Sequence, residues 1–119
     1  MNSAKFIELL GWNDNLKVAH WQADTVTNAH KALGDLYDAI AGFTDDLAET
    51  AMGKVGSRDF APAMVAITPS VDHASLLSDG LEVLAECRAE LTPGVDDDLL
   101  NILADMSAAI NKAKYLLKL

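Results

Sequence analysis

Leu99, Leu103, Met106, Ile110, Ala113 and Leu117 return in alternating steps of four and three, which draws one unbroken apolar seam along an α-helix. A seam this regular is stable only when buried, and its spacing suits close antiparallel packing against other helices. Its ends are marked by charge. Asp96, Asp97 and Asp98 stand where a helix N-terminus favours negative groups, and Lys112, Lys114 and Lys118 stand where a C-terminus favours positive ones.

Three earlier helices follow the same logic. Helix A begins after a Ser3 cap and places Phe6, Leu9, Asn13, Leu16 and His20 on one stripe. The stretch from Ala23 to Asn28 interrupts it with side chains that compete for backbone hydrogen bonds, and predicts a short turn. Helix B starts at Asn28, carries His30, Leu33, Tyr37, Ile40, Thr44, Leu47 and Ala51, and stops before Gly53 and Gly56. Residues 52–68 read as a loop whose apolar patch, Met64 to Ile67, touches the core. Thr68 and Pro69 read as the start of helix C, because proline at the first helical position loses no needed donor. That helix carries Ala74, Leu77, Leu81, Leu84 and Leu91, and Pro93 with Gly94 ends it. The seam from Leu99 to Leu117 is helix D.

The expected fold is therefore all-α, a four-helix bundle in one domain spanning residues 1–119. The short A–B and C–D links favour antiparallel pairs, while residues 52–68 are long enough to carry the chain along the bundle to a parallel start. That crossover between helices B and C gives ferritin-like connectivity, and a plain up-down bundle is the rival.

Eighteen acidic against nine basic side chains leave a formal charge of −9, a field that repels phosphate backbones and anionic lipid. Nucleic acid is not the expected partner. No apolar run approaches the roughly 20 residues needed to cross a bilayer, and Lys5 and Glu8 break the first ten residues where a signal peptide would be apolar. Cys87 is the sole cysteine, so no intrachain disulfide forms. The expectation is a soluble cytoplasmic protein without membrane contact. Phosphate-binding glycine loops, paired cysteine motifs and a Ser-His-Asp context are all missing, which leaves hydrolase and nucleotidase readings without support.

Chemistry concentrates on helices A and B. His20 and His30 both fall on the buried stripes, and at 100° per residue Asp38, Asp45 and Glu49 lie within about 40° of one another beside the face of His30. Histidines bordered by several acids are metal-ligand chemistry, although a hydrogen-bonded core histidine and a solvated acidic strip are the plainer readings of each part. His30 and Asp45 are about 22 Å apart along one helix, so one metal cannot bind both within a chain. A second copy packed antiparallel on helix B would bring His20 and His30 of one chain to Asp45 and Glu49 of the other, making two equivalent sites. At least a homodimer is expected.

His20-Trp21, then His30, then Asp45-x-x-x-Glu49 resembles the ferroxidase signature of the Dps-like mini-ferritins, over roughly residues 10 to 51. The run HKALGDLYDAI and the ending KYLLKL are also similar to short phage-encoded ferritin-like proteins, and imply a place in a host cytoplasm or virion. The resemblance implies iron at an intersubunit site, with His20 and His30 as ligands from one subunit, Asp45 and Glu49 from its neighbour, and Glu49 bridging. It implies oxidation of Fe(II) to Fe(III) by peroxide or oxygen. Two departures stand out. The family carries an acid one turn after the second histidine, where this chain has Gly34, with Asp35 one residue late; the link between the histidines is also two residues shorter. The basic N-terminal tail that many relatives use on DNA is absent from this sequence, and so are the Glu-x-x-His pairs of larger di-iron bundles.

Two other readings stay open. Gly34 in place of an acid fits a non-catalytic bundle kept as an oligomeric assembly or interaction module, and the same four donors accept zinc as a structural ion. Elsewhere, His73 reads as a surface residue, Cys87 as a buried inert thiol, and Glu82, Glu86 and Glu90 as a solvated face. Trp12 and Trp21 fit either core filling or a subunit interface.

Overall fold

The computed structural model describes residues 1–119 and contains four helices and no strand. They are α1 (Ser3–Gln22), α2 (Asn28–Val55), α3 (His73–Ala89) and α4 (Asp97–Leu116). Around the bundle the order is α1, α2, α4, α3, each helix packing on two neighbours. Neighbours run antiparallel. Asn13 and His20 of α1 bond backbone oxygens of Tyr37 and His30 in α2, and Trp12 and Lys5 of α1 reach Leu76 and Glu86 of α3. Asn28 and Lys54, at opposite ends of α2, reach Leu116 and Asp98 at opposite ends of α4.

The seam that opened the sequence supplies the floor of the core: Leu99, Leu103, Met106, Ile110 and Ala113 are buried, and Leu117 packs against them. Leu9, Leu16, Leu33, Ile40, Leu47, Leu77 and Leu84 meet them from the other three helices with no exposed surface. Trp12 belongs to this core. Its indole N–H donates to the Leu76 carbonyl at 2.8 Å and its ring lies on Gly80, whereas Trp21 projects into solvent at 67% exposure. Cys87 is fully buried, and burial pushes its thiol up from 9.0 to about 11.

Helix ends differ from the sequence expectation where side-chain chemistry decides them. Asn2, not Ser3, caps α1, accepting from the Ala4 amide at 3.1 Å. α2 continues through Gly53 and stops at Gly56, whose φ of 73° is the left-handed conformation that ends a helix at little cost to glycine. α3 does not start at Thr68 and Pro69. Ser70 follows them at φ 61°, which breaks any helical run, and Asp72 becomes the cap by accepting from the Ser75 amide. α3 also ends at Ala89, short of Leu91, and buries Leu76, Gly80 and Cys87 where the sequence stripe has Ala74, Leu81 and Leu91.

The segment between α2 and α3 lies along α1. Its Ala61 amide donates to Ser3 Oγ, Phe60 packs on Phe6 with ring centroids 6.3 Å apart, and Val65 sits over Gly11. The Asn15 amide group bonds both Ala66 and Thr68, and the Gln22 amide group bonds Ser70 twice. Of the expected patch, Val65 makes the contact while Met64 points fully outward.

Candidate functional site

His20 and His30 meet across the turn between α1 and α2. That turn is built by Asp24, whose carbonyl accepts from the Thr27 amide and hydroxyl and whose carboxylate accepts from the Val26 amide. Thr27 then caps α2 by accepting from the His30 amide. His20 sits in the last turn of α1 and His30 in the first turn of α2, so the turn brings the two rings together with centroids 3.9 Å apart and planes 27° apart.

Each imidazole holds the backbone of the other. His20 Nδ1 lies 2.6 Å from the His30 carbonyl oxygen, and His30 Nδ1 lies 2.8 Å from the His20 carbonyl oxygen. A carbonyl only accepts, so both Nδ1 atoms carry the hydrogen and donate. The His20 carbonyl is among the last four of α1, which have no partner within the helix, and the His30 ring satisfies it. The consequence is chemical. With Nδ1–H fixed, the lone pair of each neutral ring is on Nε2, the nitrogen free to bind a metal.

Gly34, one turn after His30, lies under the His20 ring: a Cβ there would stand 2.7 Å from Cε1 and 2.8 Å from Nδ1. Asp35 does not replace the missing acid. Its carboxylate accepts from Lys31 at 2.6 Å on the far side of the helix, beside a cavity of about 340 Å³ between α2 and α4 that touches neither histidine.

Asp45 and Glu49 are exposed on α2, as is Asp38. None of the three is ion-paired, since every salt bridge in the chain uses Lys5, Lys31 or Lys54. Within one chain no three histidine, cysteine or acidic side chains come together to hold a metal. The structure thus unites His20 with His30 and leaves Asp45 and Glu49 apart from them, down the same helix.

Lys17 is absent from the sequence reading, and Asn13, Trp21, Tyr37 and Thr44 enter it without the contacts they make. Lys17 Nζ lies 4.3 Å from the centroid of the Tyr37 ring and 5.9 Å from that of Trp21, a cation–π contact signalled only by the four-residue spacing of Lys17 and Trp21. Two turns before His20, buried Asn13 donates to the Tyr37 carbonyl while its Oδ1 has no partner, and buried Thr44 Oγ1 has none either. His73 begins α3, is half-buried and lines a cavity with Ala19, Gln22 and Ala23 at the end of α1.

The profile of a family of unknown function, DUF5856, matches residues 20–117, a stretch that starts at His20 and includes His30, Asp45 and Glu49. The chain belongs to this family. DUF5856 membership therefore takes in the whole candidate site and most of the bundle. No curated protein and no solved structure matches the chain. No helix is long and apolar enough to cross a membrane.

Proposed function

We propose that this DUF5856 chain is a ferritin-like, Dps-type protein that binds Fe(II) as substrate between two subunits and oxidises it to Fe(III). The observation that carries the reading is the reciprocal His20–His30 clasp, which stacks the two rings, fixes both by backbone hydrogen bonds and leaves an Nε2 lone pair on each. Asp45 and Glu49 support it, because exposed carboxylates without ion pairs are free to serve a neighbour. Imidazole and carboxylate together suit iron. Each Fe(II) gives up one electron, and a peroxide that takes two electrons and two protons leaves as water.

The ferritin-like connectivity draws support from the chain path. Neighbouring helices are antiparallel, so α2 and α3, which lie diagonally, point the same way and require a long connection; the contacts of residues 60–70 with α1 fit that connection. A cytoplasmic setting belongs to the same reading, and the phage-protein resemblance makes it a host cytoplasm or a virion.

Size-fractionated protein, given Fe(II) without oxygen and then exposed to peroxide or air, tests the reading. Oxidation should outpace the buffer control, and His20→Ala or Asp45→Ala should abolish the excess while circular dichroism stays helical. Normal oxidation in either variant defeats it. Gly34 favours the second reading, an assembly module without catalysis, which expects oligomers that survive chelation and never accelerate oxidation. Stoichiometric zinc in the protein as isolated would instead mark a structural site.

A further inference from the structure

We infer that Gly34 is a positioning residue: the volume a side chain would fill there is the place where the His20 imidazole stands. This rests on the metal reading only for its consequence, since the geometry belongs to the protein alone. The His20 ring cannot yield to a Cβ freely. It is held at 2.6 Å by the His30 carbonyl on one edge and stacked at 3.9 Å on the His30 ring, and a Cβ at 2.7 and 2.8 Å from its Cε1 and Nδ1 is closer than such atoms approach. Moving the ring away breaks the Nδ1–H bond that fixes its tautomer. Gly34 and the clasp are thus one device.

The sign of a substitution follows. In a site lacking such a ring, an acid at position 34 adds a metal ligand. Here Gly34→Asp displaces His20, unlocks its Nε2 and weakens metal binding. Gly34→Ala, which adds no charge, does the same through bulk alone. At a helix-interior position with open space over the Cβ, glycine to alanine is stabilising; at this position it opposes a held ring.

Long-range proton–nitrogen NMR of the imidazoles, on metal-free protein at mildly alkaline pH, reads the tautomers directly. Wild type should show Nε2 as the unprotonated nitrogen of both His20 and His30, and Gly34→Ala should return His20 to the Nε2–H form that an unconstrained histidine side chain favours. Wild-type rings in the Nε2–H form, or a Gly34→Ala spectrum unchanged from wild type, would overturn the inference. Thermal midpoints supply a second reading should Gly34→Ala fold poorly. Gly34→Ala should lower the midpoint in the presence of His20 and raise it in a His20→Ala background, and the same sign in both backgrounds would also overturn it. A Co(II) titration separates the two claims: locked tautomers with no metal uptake would refute the proposed function and leave the role of Gly34 standing.

Discussion

A methyl group at Gly80 would overlap the six-membered ring of Trp12, a side chain that is buried and tied by its N–H to Leu76 one turn earlier on α3. The ring cannot retreat without losing that bond, so Gly80→Ala should destabilise the protein by about 1–3 kcal/mol, as overpacked cores do. Urea unfolding measures it, and a variant as stable as wild type would mean the indole is not wedged there. Glycines were the least legible residues in the sequence. They leave no mark on an apolar stripe, so Gly80 passed unnoticed beside Leu77 and Leu84, and Gly34 read only as a missing acid. His20 and His30 were legible because they occupy stripe positions. Their clasp was not, since it depends on two backbone carbonyls brought together by the Asp24–Thr27 turn.

All four helices were legible as elements, and their ends less so, because several nearby residues competed for each cap. Asn2 outbid Ser3, and Asp72 outbid Thr68, through single hydrogen bonds to amides that the pattern of apolar residues cannot locate. The α3–α4 turn shows what such bonds do. The Thr92 amide donates to Asp96 at 2.9 Å, and this bond, aided by Lys54, holds the Asp96 carboxyl below its ordinary range. Lys54 does the same for Asp98, first through its hydrogen bond at 2.8 Å. A depressed carboxyl pKa contributes stability above the unfolded value of about 3.9, and that contribution is lost as pH falls through the lower folded value. The Thr92 amide, which donates to the Asp96 carboxylate, should therefore shift in NMR spectra with a midpoint below about 3.9, before the core amides of α4 respond. A midpoint at or above that value would show that the turn does not hold the carboxylate.

Both histidines lie at one end of the α1–α2 pair and Asp45, Asp46 and Glu49 towards the other, with lysines and aspartates at each end. A second copy lying antiparallel on this face sets the histidines of each chain against the acids of the other. Gly42 lies between those ends on the exposed side of α2, with nothing within 4 Å of where its Cβ would be. An exposed glycine inside a helix is worse than alanine by roughly 0.5–1 kcal/mol, and no contact within the chain offsets this. Close approach of another backbone would, and Gly42 lies about one turn from where the proposed antiparallel α2 helices would cross. Gly42→Leu separates the two effects. It should stabilise the isolated bundle by about 1 kcal/mol through helix propensity. It should also weaken self-association about tenfold or more, corresponding to at least ~1.4 kcal/mol of lost contact. Sedimentation over a dilution series, with thermal unfolding at the monomer end, measures both. Unchanged association would move the subunit contact away from Gly42, and a wild type that stays monomeric at every concentration would remove the partner on which Asp45 and Glu49 depend.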